Sequence, residues 1–252
     1  MSTETDGEWS VREQFWTGLH DFMFDEDRIH RGQREAAQIA ALLSLSTPAR
    51  IVDLCCGPGR HAVPLARLGH RVTGVDSTGS YLDSARARAL AEGVTAEFVQ
   101  ADAREYRADP AADVVLNLWS SFGYFTEQAD NVRLLGQAYS SLREGGAFLL
   151  HVRSRETFPA RTNDGRVWLE RDGMLFLEER AVVDDWRRIR GRWIVVSDGR
   201  RQDYPYTSWL YSGQEITDML RSVGFSHVSL HGDFSGAPYD QHAKHLVAVA
   251  RR

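Results

Sequence analysis

Cysteine is nearly absent: the 252-residue chain has two, the adjacent Cys55 and Cys56. Neither C-x-x-C spacing nor a second pair exists, so a cysteine-built metal site is excluded and no metal is expected. Packing is the expected role of the two thiols. No apolar stretch approaches the roughly 20 residues that span a bilayer. The opening run Met1–Glu8 lacks the basic, apolar and small-residue order of a signal peptide, so the expected compartment is the cytoplasm, without a membrane partner. A surplus of positive charge is also missing. At a formal net charge of −5, no global field holds a polyanion, which argues against nucleic acid as a partner. Lysine is scarce as well: Lys244 is the only one among 30 basic residues, a mark of codon usage rather than mechanism.

What remains is the composition of a soluble globular protein, 26% charged and 42% apolar. A chain of this length buries a full core without cross-links. Residues Val11 to Leu45 read as two helices with a polar break near Asp25–Asp27. After Pro48, short apolar runs alternate with amphipathic segments. Strands are predicted at Ile51–Cys55, Val72–Val75, Glu97–Gln100, Val114–Trp119 and Ala147–Val152. Helices are predicted after Gly59, over Tyr81–Ala91 and over Ala129–Leu142, the last ending at Gly145–Gly146. Strand–helix–strand units of this length imply a parallel sheet covered on both faces.

After Ser154 the rhythm becomes period-two, at Val167–Glu170, Leu175–Val183, Arg190–Ser197 and Tyr204–Tyr211, with Asp-Gly turns at 172–173 and 198–199. This predicts an antiparallel meander inserted in the main fold. A helix over Gln214–Val223 and a strand pair, Phe225–His231 and His245–Ala250, complete the sheet. The expected fold class is α/β, a mostly parallel seven-stranded sheet with helices on both faces and an inserted antiparallel β-meander. The expected divisions are an N-terminal helical cover at 1–47, a Rossmann-like domain at 48–160 and 212–252, and the β insert at 161–211.

The segment Ile51-Val-Asp-Leu-Cys-Cys-Gly-Pro-Gly-Arg60 carries the chemistry. A strand enters a glycine turn that lets a ligand approach the backbone, then opens a helix whose amides face polar groups. Gly57 to Ala62 fits G-x-G-x-x-G/A, which also describes dinucleotide binding. Three acids in register with the turn sharpen the reading. Asp53 lies in the first strand. Asp76 closes the second, where an acid accepts from ribose hydroxyls, and Asp102 closes the third.

In these residues the chain resembles the class I S-adenosylmethionine methyltransferases, whose first motif is D-x-G-x-G-x-G. Here it stands as Asp53-Leu-Cys-Cys-Gly-Pro-Gly59, with Cys55 in the first glycine's place; the small side chain suits the turn if residue 55 avoids a glycine-only conformation. The resemblance covers roughly residues 48–153. It implies S-adenosyl-L-methionine as cofactor, with Gly57 and Gly59 beneath it. Asp53 would orient the methionine ammonium, Asp76 with Ser77 would hold the ribose, and Asp102 with Ala103 would face the adenine. Trp16, Cys55 and Leu118 would complete the cofactor site.

The acceptor region implied by the family is Asn117-Leu-Trp-Ser-Ser-Phe-Gly-Tyr-Phe125. It lacks the Asp/Asn-Pro-Pro-Tyr loop of many nucleic-acid amine methylases, which favours a small-molecule acceptor. This loop, the meander and the ending Gly232–Tyr239 are similar to bacterial small-molecule enzymes such as the amino-sugar N,N-dimethyltransferases. The similarity implies methyl transfer to nitrogen or oxygen in specialised metabolism. Tyr124 and His151 are the candidate catalytic groups, with Trp119, Phe122 and Arg153 toward the substrate. Trp16, His20, Arg28 and Arg31 either close the site or form a solvated cover. Trp186, Trp193 and Trp209 either pack between strands or form a homodimer face through the meander. Two other readings of the glycine turn stay open: a nucleotide-dependent oxidoreductase, and a cofactor-binding protein without turnover.

Overall fold

The structure, a computed structural model, describes residues 9–158, 166–171 and 173–252. The run Met1–Glu8, the expected start of the insert at 161 and Asp172 of the first Asp-Gly turn lie outside the described residues. Among the described residues, no helix is long and apolar enough to cross a membrane.

The main sheet contains β1 (Arg50–Leu54), β2 (Arg71–Asp76), β3 (Glu97–Gln100), β4 (Ala112–Asn117), β5 (Leu142–Val152), β10 (His227–His231) and β11 (Leu246–Arg251). Its order is β10-β11-β5-β4-β1-β2-β3. Pairing is parallel from β3 through β5, and antiparallel at β11 with both neighbours. The strand order reverses between β1 and β4, and ligands of such sheets bind beyond the carboxyl ends at that reversal. Helices α4 (Ala62–Arg67), α5 (Gly79–Ala91), α6 (Gln128–Ser141) and α7 (Gly213–Ser222) connect the strands. Central strands are apolar along their length: Val114 to Leu116 and Ala147 to Leu150 are all at most 2% exposed, as a sheet covered on both faces requires. The start of α7 is set locally by Ser212 and Glu215, which form a reciprocal capping box.

The expected end of α6 at Gly145–Gly146 is corrected. The helix stops at Ser141, and Leu142 already pairs with Ala112 in β5. The next pair is Val114 with Ala147, so the two glycines occupy an irregularity inside the strand rather than a helix cap. The N-terminal segment is also more broken than two helices. A 3-10 turn at Trp9–Val11 precedes α1 (Glu13–Thr17), α2 (His20–Met23) and α3 (Glu26–Leu42). The predicted break is the α3 cap, where Asp25 accepts from the Arg28 amide at 2.9 Å.

A second, antiparallel sheet runs β6 (Arg166–Arg171), β7 (Met174–Val183), β8 (Arg188–Ser197) and β9 (Arg200–Trp209) in that order. Its inner face is not solvated by the N-terminal segment but packed against it. Trp9, Phe15, Leu19 and Phe22 share one buried cluster with Phe176, Trp193, Tyr204 and Tyr206, and the Trp9 indole donates to the Thr207 carbonyl at 2.8 Å. Of the meander tryptophans, Trp193 is buried, Trp209 donates to the Phe125 carbonyl, and Trp186 is 47% exposed in the β7–β8 turn.

Candidate active site

Two cavities meet beyond the carboxyl ends of the parallel strands. The first encloses about 1010 Å³, open mouth included, and holds Trp16, Asp53, Cys55, Gly57, Asp76, Ser77, Asp102, Ala103 and Leu118 in its wall. Every expected cofactor residue except Gly59 is therefore brought together. Gly59 sits behind the turn at φ +73, where a Cβ would lie 3.1 Å from Ala85 and Val63. Its job is close packing of the turn against α4 and α5. Cys55 departs from expectation in its backbone: φ is +60, inside the left-handed region. A side chain is tolerated there at a cost of roughly 1–2 kcal/mol, so the turn keeps its shape without the first glycine.

The three acids differ in how far their oxygens are already committed. Asp76 accepts from the amides of Gly57 at 2.8 Å and Thr78 at 2.9 Å, tying β2 to the glycine turn. Asp53 is 1% exposed, and its Oδ2 is buried without a hydrogen-bond partner among the described residues. Burial, then the nearby Asp76 charge, push its pKa up to about 7 against the opposing pull of Arg60. A buried carboxylate oxygen without a donor is costly, and it marks a place for a cationic ligand group. Asp102 is the opposite case. The Arg104 guanidinium grips both its oxygens at 2.6–3.1 Å and the Arg104 amide adds a bond at 2.8 Å. Burial raises its pKa, but these bonds outweigh it and hold the carboxyl below its ordinary range.

Sequence reasoning missed Arg60, the residue immediately after the glycine turn. Its side chain is 2% exposed, bonded to Glu35, to the Arg28 carbonyl at 3.1 Å and to His61 at 3.0 Å. His61 in turn meets Glu35 at 2.8 Å, and burial followed by the Arg60 charge drives its pKa down to about 4, so the imidazole is neutral. Arg60 also lies 4.7 Å from the Trp119 ring centre. The signal was present: a charged residue where the chain has just turned inward.

The second cavity, about 1510 Å³ with its mouth, lies between the main sheet and the inner face of the insert. Trp119, Phe122, Tyr124, His151 and Arg153 all line it, and Met23, Trp119 and Tyr124 line both cavities. Trp119 and Ser120 are consecutive left-handed residues, at φ +59 and +64. His151 fixes this strained pair: its Nδ1 accepts from the Trp119 amide at 3.2 Å, and its carbonyl accepts from the Ser120 amide at 2.9 Å. With Nδ1 accepting, a neutral ring carries its proton on Nε2. Tyr124 packs 5.8 Å from Trp16 and 4.8 Å from Trp9. Burial raises its phenol to about 12, with Arg153 pulling the other way. Of the N-terminal candidates, Trp16 lines the first cavity and Arg28 the second, whereas His20 packs on Phe24 and Tyr81 and Arg31 is exposed.

The insert contributes groups that the sequence reading passed over. Phe176, Glu178 and Arg180 alternate on one face of β7 and line the second cavity. Glu178, 8% exposed, pairs with Arg180 at 3.1 Å and accepts from Trp193 at 3.0 Å and Tyr206 at 2.9 Å. Tyr206 reaches it by lying across Gly191, where a Cβ would fall 2.4 Å from the ring.

Residues 51–146, which span β1 through the first half of β5, match the methyltransferase domain family. The chain carries an S-adenosylmethionine-dependent methyltransferase domain. It is 37% identical over 105 residues to a putative methyltransferase of Geobacillus, spanning 42% of each chain. It is 27% identical over 205 residues to the cypemycin N-terminal methyltransferase of Streptomyces, covering 80% of this chain and 82% of the relative. Its fold matches the CcbJ methyltransferase of Streptomyces caelestis with a TM-score of 0.80 at 23% identity, over 97% and 98% of the two chains. The methyltransferase family match ends before the insert begins, whereas the structural match extends across it, over 97% of this chain. The unpartnered oxygen of Asp53 fits the methionine ammonium, and the uncommitted face of Asp76 fits ribose hydroxyls.

Proposed function

We propose that this methyltransferase acts on the neutral amine nitrogen of a small molecule, in bacterial specialised metabolism. The observation that carries the reading is the shared wall: Trp119 and Tyr124 face both the glycine-turn cavity and the cavity under the insert. In this reading Asp53, Asp76, Ser77, Ala103 and Leu118 hold S-adenosylmethionine, and Trp16 covers it. The cofactor supplies a sulfonium-activated methyl carbon. The protein then has to seat the acceptor lone pair against that carbon and keep water out.

Nitrogen is favoured over a hydroxyl oxygen by the state of the two candidate catalytic groups, Tyr124 and His151. A hydroxyl must lose its proton as it attacks, which calls for a base. Tyr124, with its pKa raised to about 12, is a neutral phenol at pH 7. The His151 acceptor nitrogen is occupied by the Trp119 amide, which makes His151 a positioning residue for the acceptor loop. A neutral amine needs neither. The cypemycin relative, named for an N-terminal methylation, supports the same choice of atom. The test is release of S-adenosylhomocysteine with primary amines against their hydroxyl isosteres. Amines alone should be methylated; comparable turnover of the alcohols would overturn the reading.

A further inference from the structure

The chain is acidic overall, yet the cavity under the insert is basic. Among its described lining residues are three arginines, Arg28, Arg153 and Arg180, and one carboxylate, Glu178. Two of the arginines are already neutralised. Arg180 is paired with Glu178 at 3.1 Å. Arg28 lies 3.4 Å from Asp25 and donates to the Phe22 carbonyl at 2.6 Å, while Asp25 is shared with Arg171. The two histidines on the wall, His151 and His245, face each other with ring centres 4.6 Å apart and add no negative charge.

Arg153 is different. Its backbone amide is anchored on the Ser120 hydroxyl at 3.1 Å, which holds the residue at the carboxyl end of β5 beside the strained Trp119–Ser120 pair. Among the described residues, its exposed guanidinium has neither an ion pair nor a hydrogen bond. Its charge is felt at Tyr124, on the wall toward the cofactor, at Tyr206, on the far wall, and at Arg28. An uncompensated cation thus faces a cavity whose remaining surface is largely aromatic and aliphatic: Phe122, Phe176, Trp193 and Trp209 line it too. A planar guanidinium is suited to a carboxylate, which it binds through two parallel N–H donors.

Resting on the amine reading above, we propose that the acceptor is an amine that also bears a carboxylate, which Arg153 receives while the amine faces the Trp119–Tyr124 wall. Acidic groups elsewhere in the chain repel such a molecule from other surfaces, so the arginine mouth both selects and orients it.

Binding is tested on the full chain saturated with S-adenosylhomocysteine, using 3-phenylpropanoate and 3-phenylpropanamide as probes and tryptophan fluorescence as readout. The carboxylate should bind at least about tenfold more tightly, the size of one charged hydrogen-bonded contact. That preference should vanish in Arg153→Gln, return in part in Arg153→Lys, and leave cofactor affinity unchanged in both. Equal binding of the two probes, binding of neither, or a preference that survives Arg153→Gln would overturn the proposal. A second arm supplies phenylalanine and phenylalaninamide as methyl acceptors. N-methylation favouring phenylalanine supports the proposal. N-methylation favouring the amide overturns it while leaving the amine reading intact. A base-labile ester of phenylalanine would overturn both, because the carboxylate would then be the reacting group.

Discussion

Asp53 offers a test in which stability and binding move in opposite directions. Its pKa, raised to about 7 chiefly by burial and then by Asp76, lies above the ordinary value of 3.8 that an unfolded chain would show. Between these values the folded state binds more protons than the unfolded one, so stability falls as pH rises from about 4 to about 7 and levels above that. At about 1.4 kcal/mol per pKa unit, the charge costs the empty protein at most about 4 kcal/mol at neutral pH. Asp53→Asn removes that cost, so its melting temperature at pH 8 should rise by several degrees over wild type, with little difference near pH 4. On the proposed reading the same change removes the partner of the methionine ammonium, and cofactor affinity should drop by about 10- to 100-fold, the range of a charged hydrogen bond. Binding should also displace the proton. At about pH 6 wild-type Asp53 is mostly protonated while the cofactor's own ammonium is fully charged, so titration calorimetry in buffers of different ionisation enthalpy should report close to one proton released. Asp53→Asn should abolish that release. If cofactor binding at pH 6 shows no buffer dependence, or if the variant binds as tightly as wild type, the pairing of Asp53 with the ammonium is wrong.

Three further outcomes follow from the same geometry. Asp76→Ala, which also releases the Gly57 and Thr78 amides, should weaken cofactor binding by about tenfold or more with the fold retained; an unchanged calorimetric Kd would remove Asp76 from the site. Tyr124→Phe should lower kcat/KM by less than about tenfold, the worth of one neutral hydrogen bond, without moving cofactor Kd; a loss near 1000-fold would make the phenol a base and defeat the amine reading. Glu35→Ala strands the buried Arg60 charge and should cost about 3–5 kcal/mol, read as a clear fall in melting temperature; an unaltered transition would mean that the Arg60–His61–Glu35 network does not support the glycine turn.

The order and type of nearly every element were legible because period and punctuation agreed. Apolar runs of strand length marked β1 to β5, and Asp198–Gly199, at φ +52 and +70, forms the predicted hairpin turn between β8 and β9. The error at the end of α6 arose because Gly145 carries a positive φ, +73, in either reading; only the pairing of Leu142 with Ala112 reveals that the strand has already begun. The wall of the first cavity was readable because one contiguous motif and two strand-end acids contribute to it, and strand ends stay in register when the sheet is parallel. The acceptor side is assembled across distant segments. Tyr206 meets Glu178 only because Gly191 leaves room between them, and no local pattern announces that gap. Even so, a trace existed. Glu178 and Arg180 fall on the same side of β7 as the buried Phe176, and charged residues on the inward period of a strand are too costly to persist without partners or a ligand. If the inward face of the insert takes part in the choice of acceptor, as proposed above, substitutions at Glu178, Arg180 and Tyr206, which line the second cavity, should shift KM for the acceptor while leaving cofactor affinity as it is, a split that steady-state kinetics and calorimetry together resolve.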